Sequence, residues 1–162
     1  MRSRRSEVSM EVYEAPRSQS RADRGDRRRV FTLEHANRTL PLVKRIVADM
    51  VKQFKLVCSL EDRCHMRRPR VTQEEHQAIR KRYEVELDNL RDLCEELAAV
   101  GCELKDWRRG LIDFLSTRDG RQIELCWQLG EDKIEHWHEV GAGFAGRQPL
   151  DVGSTQEAVT QS

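Results

Sequence analysis

Two long apolar stripes, separated by a short break, limit what this chain can fold into. Val43, Val47, Met50, Phe54 and Val57 recur at alternating steps of four and three, and Ile46, Val51 and Cys58 widen the same face. That spacing lines one side of an α-helix and fits no strand. Ile79, Tyr83, Leu87, Leu90, Cys94 and Leu97 repeat the pattern, and Gly101 follows as a C-terminal cap. Between the stripes, residues 61–71 carry Pro69 as a breaker, and Thr72-Gln73-Glu74-Glu75 has the form of a capping box. Two helices of matching length joined by a short turn predict an antiparallel hairpin.

Upstream, order is expected to begin at Val30-Phe31, with Thr32 as N-cap of a short helix through Arg38. Pro41 has no N–H to give the Asn37 carbonyl, so a kink or restart capped by Thr39 is expected, the long helix then running to about Leu60. After Gly101 the period becomes strand-like. Cys102–Lys105 and Leu111–Leu115 are candidate strands, Asp119-Gly120 is a turn, and Arg121–Gln128 alternates Ile123, Leu125 and Trp127 with Gln122, Glu124 and Cys126. Ile134–Glu139 is a strand or a helical turn; six residues do not decide the period. The expected architecture is α+β, a long antiparallel helical hairpin packed with a small antiparallel β-meander.

Charge divides the chain. Residues 1–29 hold nine arginines against five acids, a net of +4, so the rest of a chain of net +1 carries −3. With hardly any apolar content, residues 1–29 are expected to be a disordered basic tail, and Met10 is an alternative start. Residues 30–150 form the expected single domain, and 151–162 a flexible C-terminus. No apolar run reaches the roughly 18 residues that span a membrane, and the first thirty residues lack an export signal. The expected location is the cytoplasm, where the five cysteines stay reduced.

Several clusters invite chemistry. Cys58, Cys64 and His65 near the hairpin tip suggest zinc, with Cys94 or Cys102 as the fourth ligand. A turn near Pro69 sets Cys58 opposite about residue 80, so Cys94 lies roughly 21 Å away at about 1.5 Å per residue. Bonds of about 2.3 Å cannot bridge that gap, so no metal site is expected there. Gly141-Ala142-Gly143-Phe144-Ala145-Gly146 spells a dinucleotide fingerprint, but Pro149 follows too soon for the helix that motif needs. The same glycines suit an anion nest with Arg147 supplying charge, or a plain loop over the sheet edge. The basic tip (Arg63, His65, Arg67, Arg68, Arg70, Arg80, Lys81, Arg82) is diluted by nearby acids and lacks interleaved aromatics, so nucleic acid is not an expected partner.

The densest constellation is C-terminal. Trp137 and His138, with Asp113, Trp127, Glu131 and Arg147, suggest a ligand site in which His138 and Arg147 face one concavity beside Trp127. Asp113 or Glu131 would orient the imidazole. His136 and His138 share a face if their segment is a strand. The competing expectation is a buried histidine bonded to a carboxylate, with Arg147 paired to a body acid.

The stretch from Phe31 to Leu150 resembles DUF2203, a bacterial and archaeal family of proteins of unknown function. The likeness rests on Phe31-Thr32-Leu33-Glu34, Ala36 to Val43, Glu103-Leu104-Lys105-Asp106, Gly110 to Phe114, Leu125-Cys126-Trp127, Leu129-Gly130-Glu131, Trp137-His138 and Gly143 to Arg147. Trp107, His136 and Gly141 depart from its usual residues. The resemblance implies a small cytosolic protein and no activity. The first functional expectation is a non-enzymatic binding or assembly protein, with a hairpin oligomerisation surface and a C-terminal loop for a small anion or peptide. The second is a small acid–base or metal-dependent enzyme using His138 with Asp113 or Glu131. An open pocket where His138 and Arg147 converge favours the enzyme. The wide stripes, flanked by Leu93, lead us to expect a homo-oligomer. The cofactor is left open, and no metal ligand is expected among the candidate site residues.

Overall fold

The computed structural model describes residues 29–66 and 69–151. Helix α1 runs Leu33–His65 and α2 runs Gln73–Val100. Strands β1 (Glu103–Asp106), β2 (Leu111–Arg118), β3 (Arg121–Gln128), β4 (His136–Glu139) and β5 (Gln148–Pro149) follow, with a turn of 3-10 helix at Phe144–Gly146 before the last. The helices pack on each other, and the strands form one antiparallel sheet in chain order, β1 to β5. The fold is α+β, a hairpin with a meander. The expected basic tail, apart from Arg29, and the C-terminal end from residue 152 lie outside the described residues, as do Arg67 and Arg68.

The expected caps are present. The Thr32 hydroxyl accepts from His35 N–H at 3.1 Å. Thr72 and Glu75 complete the capping box, at 3.2 Å from the Glu75 N–H to the Thr72 hydroxyl and 2.8 Å from the Thr72 N–H to the Glu75 carboxylate. Gly101 ends α2 with a φ of 101°. One expectation fails. Pro41 sits inside a continuous α1 that extends to His65, five residues past Leu60. An interior proline loses one hydrogen bond and crowds the preceding turn, at about 3 kcal/mol. Ala36, Leu40, Val43 and Val47 lie on both sides of Pro41 and are all buried in one core, so packing holds the helix through it. Thr39 caps nothing; its hydroxyl donates to the His35 carbonyl at 2.9 Å.

Alternation along the strands sorts residues onto two faces. Ile112, Phe114, Ile123, Leu125, Trp127 and Trp137 join the core with α1 and the end of α2. No α1 residue beyond Val51, and no α2 residue before Leu93, belongs to or packs against that core. Phe54 stacks on Trp107 of the β1–β2 turn, centroids 5.3 Å apart. Past this contact the helices continue as a two-helix arm. Its register is set by Gln53, which donates to the Glu86 carbonyl at 2.9 Å, and by His76, whose ring meets the Cys64 carbonyl at 3.0 Å. That register carries Cys94 back toward Ile46, so Cys58 and Cys94 share no ion. Ile46 and Val51, which widen the α1 stripe, are buried within the chain itself.

Candidate functional site

The sheet register builds a polar cluster on the face turned away from the helices. Asp113 on β2 stands opposite Cys126 on β3. Glu124 on β3 stands opposite His138 on β4, and Cys126 opposite His136. The free face of a one-sided sheet is ordinarily solvated. Here Asp113 and Glu124 are each 3% exposed, and His138 and Cys126 0%. The cover is the segment from Val140 to Arg147. It leaves β4, turns, forms the 3-10 helix and returns as β5 along the β4 edge. Gly146 rests on the histidine; a Cβ there would stand 3.8 Å from His138 Cβ. Phe144 is held between Arg109 and Arg147, guanidinium carbons 4.6 and 5.3 Å from its ring centre. Gly143, at φ 66° and ψ −166°, occupies a backbone region open in practice only to glycine.

Inside the cluster, His138 Nδ1 lies 2.8 Å from the Glu139 carbonyl. A carbonyl only accepts, so this contact fixes the proton on Nδ1 and leaves Nε2 pointing into the cluster. Nε2 is 3.1 Å from Asp113 Oδ1, within ion-pair distance. The approach is off the line of a ring N–H bond, so Nε2 and both Asp113 oxygens have no well-formed hydrogen bond. Glu124 Oε2 lies 3.5 Å from Nδ1, and Lys105 stands 3.8 Å from the other Glu124 oxygen. Cys126 completes the group. Burial, and next the charge of Asp113, push its thiol up to about 12, against the opposing pull of Arg147. The donor atoms of Asp113, Cys126 and His138 all lie within 4.8 Å of one another.

A family model described as an uncharacterised conserved protein, DUF2203, matches residues 29–150. The chain belongs to this family. No curated protein and no solved structure matches it.

In this DUF2203 chain the six expected site residues separate into three places. His138 and Asp113 meet. Glu131 instead pairs with Arg147, whose Nη2 donates to both carboxylate oxygens at 2.8 Å. Glu131 also accepts from the Gln128 N–H at 2.8 Å, so this ion pair locks the turn after β3 to the C-terminal segment. Trp127 and Trp137 lie on the opposite, core face; the Trp127 ring N–H donates to the Glu131 carbonyl at 2.9 Å. His136 stands near Glu131 at 3.8 Å, not beside the Nε2 of His138. The glycine loop uses its amides internally, from Ala142 to Glu139, Gly146 to Gly143 and Arg147 to Phe144. Cys126 was missed because it reads as one more residue on the polar side of an alternating strand. The signal lay in the Asp119-Gly120 turn, which pairs Arg118 with Arg121 and so Asp113 with Cys126.

Proposed function

We propose that this DUF2203 protein is a cytosolic, non-enzymatic assembly protein that self-associates through its helical arm. The observation that carries the proposal is the coverage of the arm. Leu56 on α1 and Ile79, Tyr83 and Leu87 on α2 are only half buried, because each helix has one neighbour there and the sheet does not reach them. Apolar stripes covered on one side find a partner most simply in a twofold copy, giving four helices around one seam. Among the described residues no helix is long and apolar enough to cross a membrane.

The C-terminal loop suits a peptide better than an anion. Arg147 is engaged by Glu131, and the amides of Ala142, Gly146 and Arg147 by nearby backbone carbonyls, whereas Phe144 remains 40% exposed. Acid–base catalysis by His138 has less support, because its ring is sealed and Glu131 is committed to Arg147. Sedimentation velocity at micromolar concentration tests the assembly reading. The expected result is a dimer, reduced to a monomer by Ile79→Glu with Leu87→Glu while far-ultraviolet dichroism keeps its helical amplitude. A wild-type chain that sediments as a monomer overturns it.

A further inference from the structure

We infer that Asp113, Cys126 and His138 form a binding site for a divalent transition-metal ion of the zinc class. This goes beyond the assembly reading and does not depend on it. Three strands contribute one donor each, an oxygen, a sulfur and a nitrogen, all within 4.8 Å of one another. Tetrahedral zinc takes sulfur at about 2.3 Å and nitrogen or oxygen at about 2.0–2.2 Å, which sets its donors roughly 3.3–3.8 Å apart. Closing the widest of these gaps onto one ion takes side-chain shifts of up to about 1 Å.

The second observation is the unmet bonding of the same atoms. Both Asp113 oxygens and His138 Nε2 are buried without a well-formed hydrogen bond, and among the described residues the one donor beside the carboxylate is the weak S–H of Cys126. Leaving a buried carboxylate bare costs far more than leaving it in water, so native structures pair such groups. Its nearest polar neighbour, His138, answers this only if Nε2 also carries a proton and the ring turns it onto the carboxylate. With Nδ1 donating to the Glu139 carbonyl at 2.8 Å, a neutral imidazole turns a bare lone pair toward the carboxylate at 3.1 Å. Two electron-rich atoms at that distance repel unless a cation lies between them. A divalent ion satisfies both, and a thiolate at Cys126 completes the balance. Carboxylate and thiolate supply two negative charges, the ion two positive, and the imidazole stays neutral.

The surroundings have the form that metal-bound histidines use. The second ring nitrogen donates to a backbone carbonyl and faces a carboxylate, Glu124, at 3.5 Å, which fixes tautomer and ring orientation. Mixed sulfur, nitrogen and oxygen donors favour zinc and its neighbours over magnesium or calcium. The fourth position falls to the second Asp113 oxygen or to water. An ion there ties β2, β3 and β4 together beneath the C-terminal segment.

Cobalt(II) is the probe, added to the full chain after dialysis against a chelator. We expect one equivalent to bind, with a thiolate-to-cobalt charge-transfer band and the intense visible bands of a four-coordinate ion. Cys126→Ser should remove the charge-transfer band. Asp113→Asn and His138→Ala should each weaken binding by at least tenfold, and Cys58→Ser with Cys64→Ser should leave it unchanged. Should the cluster variants fail to fold, zinc-edge absorption of the wild type still decides, with one sulfur at about 2.3 Å and the other donors near about 2.0 Å. A wild-type chain that binds no cobalt overturns the proposal and leaves an imidazolium to balance Asp113. A charge-transfer band that survives in folded Cys126→Ser, or a zinc shell without sulfur, overturns it equally.

Discussion

Gly110 turns the chain between β1 and β2 within touching distance of α1. Its φ is +64°, and a Cβ there would meet Leu129 Cβ at 2.8 Å and Val47 Cγ1 at 2.9 Å. Gly110→Ala therefore adds backbone strain to overpacking and should cost about 2–4 kcal/mol. Gly120, also at positive φ, has nothing within 4 Å of such a Cβ, so Gly120→Ala should cost only about 1 kcal/mol. Urea melts of the two variants separate the terms; equal losses would show that packing on α1 contributes nothing. A second residue-scale effect concerns Cys102. Burial pushes its thiol up to about 12, while an unfolded thiol titrates near about 8.5. The folded value is the higher, so the thiol's contribution to stability is complete below about pH 8.5 and is lost as pH climbs toward about 12. The fall in urea midpoint above about pH 9 should be shallower in Cys102→Ala; identical slopes would mean that other groups govern it. At this scale the site was half legible. Asp113 opposite Cys126 follows from the tight turn at Asp119-Gly120. His138 does not, because the seven residues between β3 and β4 fix no register.

At the scale of elements, the helices were the legible part because their caps and period agree. Thr72, Glu75 and Gly101 stand where local chemistry requires them. Pro41 misled for the opposite reason. A local rule predicts a break, and a core formed from distant strands overrides it. That conflict has a measurable consequence. Pro41 is exposed and sits in the helix interior, so its ring contributes no burial to offset the lost hydrogen bond. Pro41→Ala should stabilise the chain by about 1–3 kcal/mol, less whatever proline's restriction of the unfolded chain contributes. Thr72→Ala should act in the other direction, by about 1 kcal/mol, through loss of the capping box. A destabilised Pro41→Ala would mean that the proline shapes α1 in a way the core requires. Strand β5 escaped notice because two residues, one of them proline, carry no period. Only the pairing of Gln148 with Trp137 and of Pro149 with His136 reveals it.

At the scale of the molecule, the structure divides into a packed base and an arm. The base combines the sheet, the first half of α1 and the last turns of α2 around one core. The arm has its buried residues Val57 and Leu60 outside that core. Helices of this length depend on tertiary packing more than on intrinsic propensity, so protection from exchange should follow coverage. In a monomer, amides of residues 54–64 and 76–88 should exchange well before those of β2, β3 and the α1 segment from Ala36 to Val51. If the arm is the assembly surface, raising the protein concentration through the dimer's dissociation constant should slow exchange in those two arm segments and leave the base unchanged. The double variant Ile79→Glu with Leu87→Glu should abolish that concentration dependence. Association through the sheet edge or the C-terminal segment gives a different map, with new protection in β1 or in residues 140–150. Hydrogen exchange at two concentrations therefore tells an arm-mediated dimer from an edge-mediated one. A map in which the arm is equally protected at both concentrations would mean that two helices suffice to cover it.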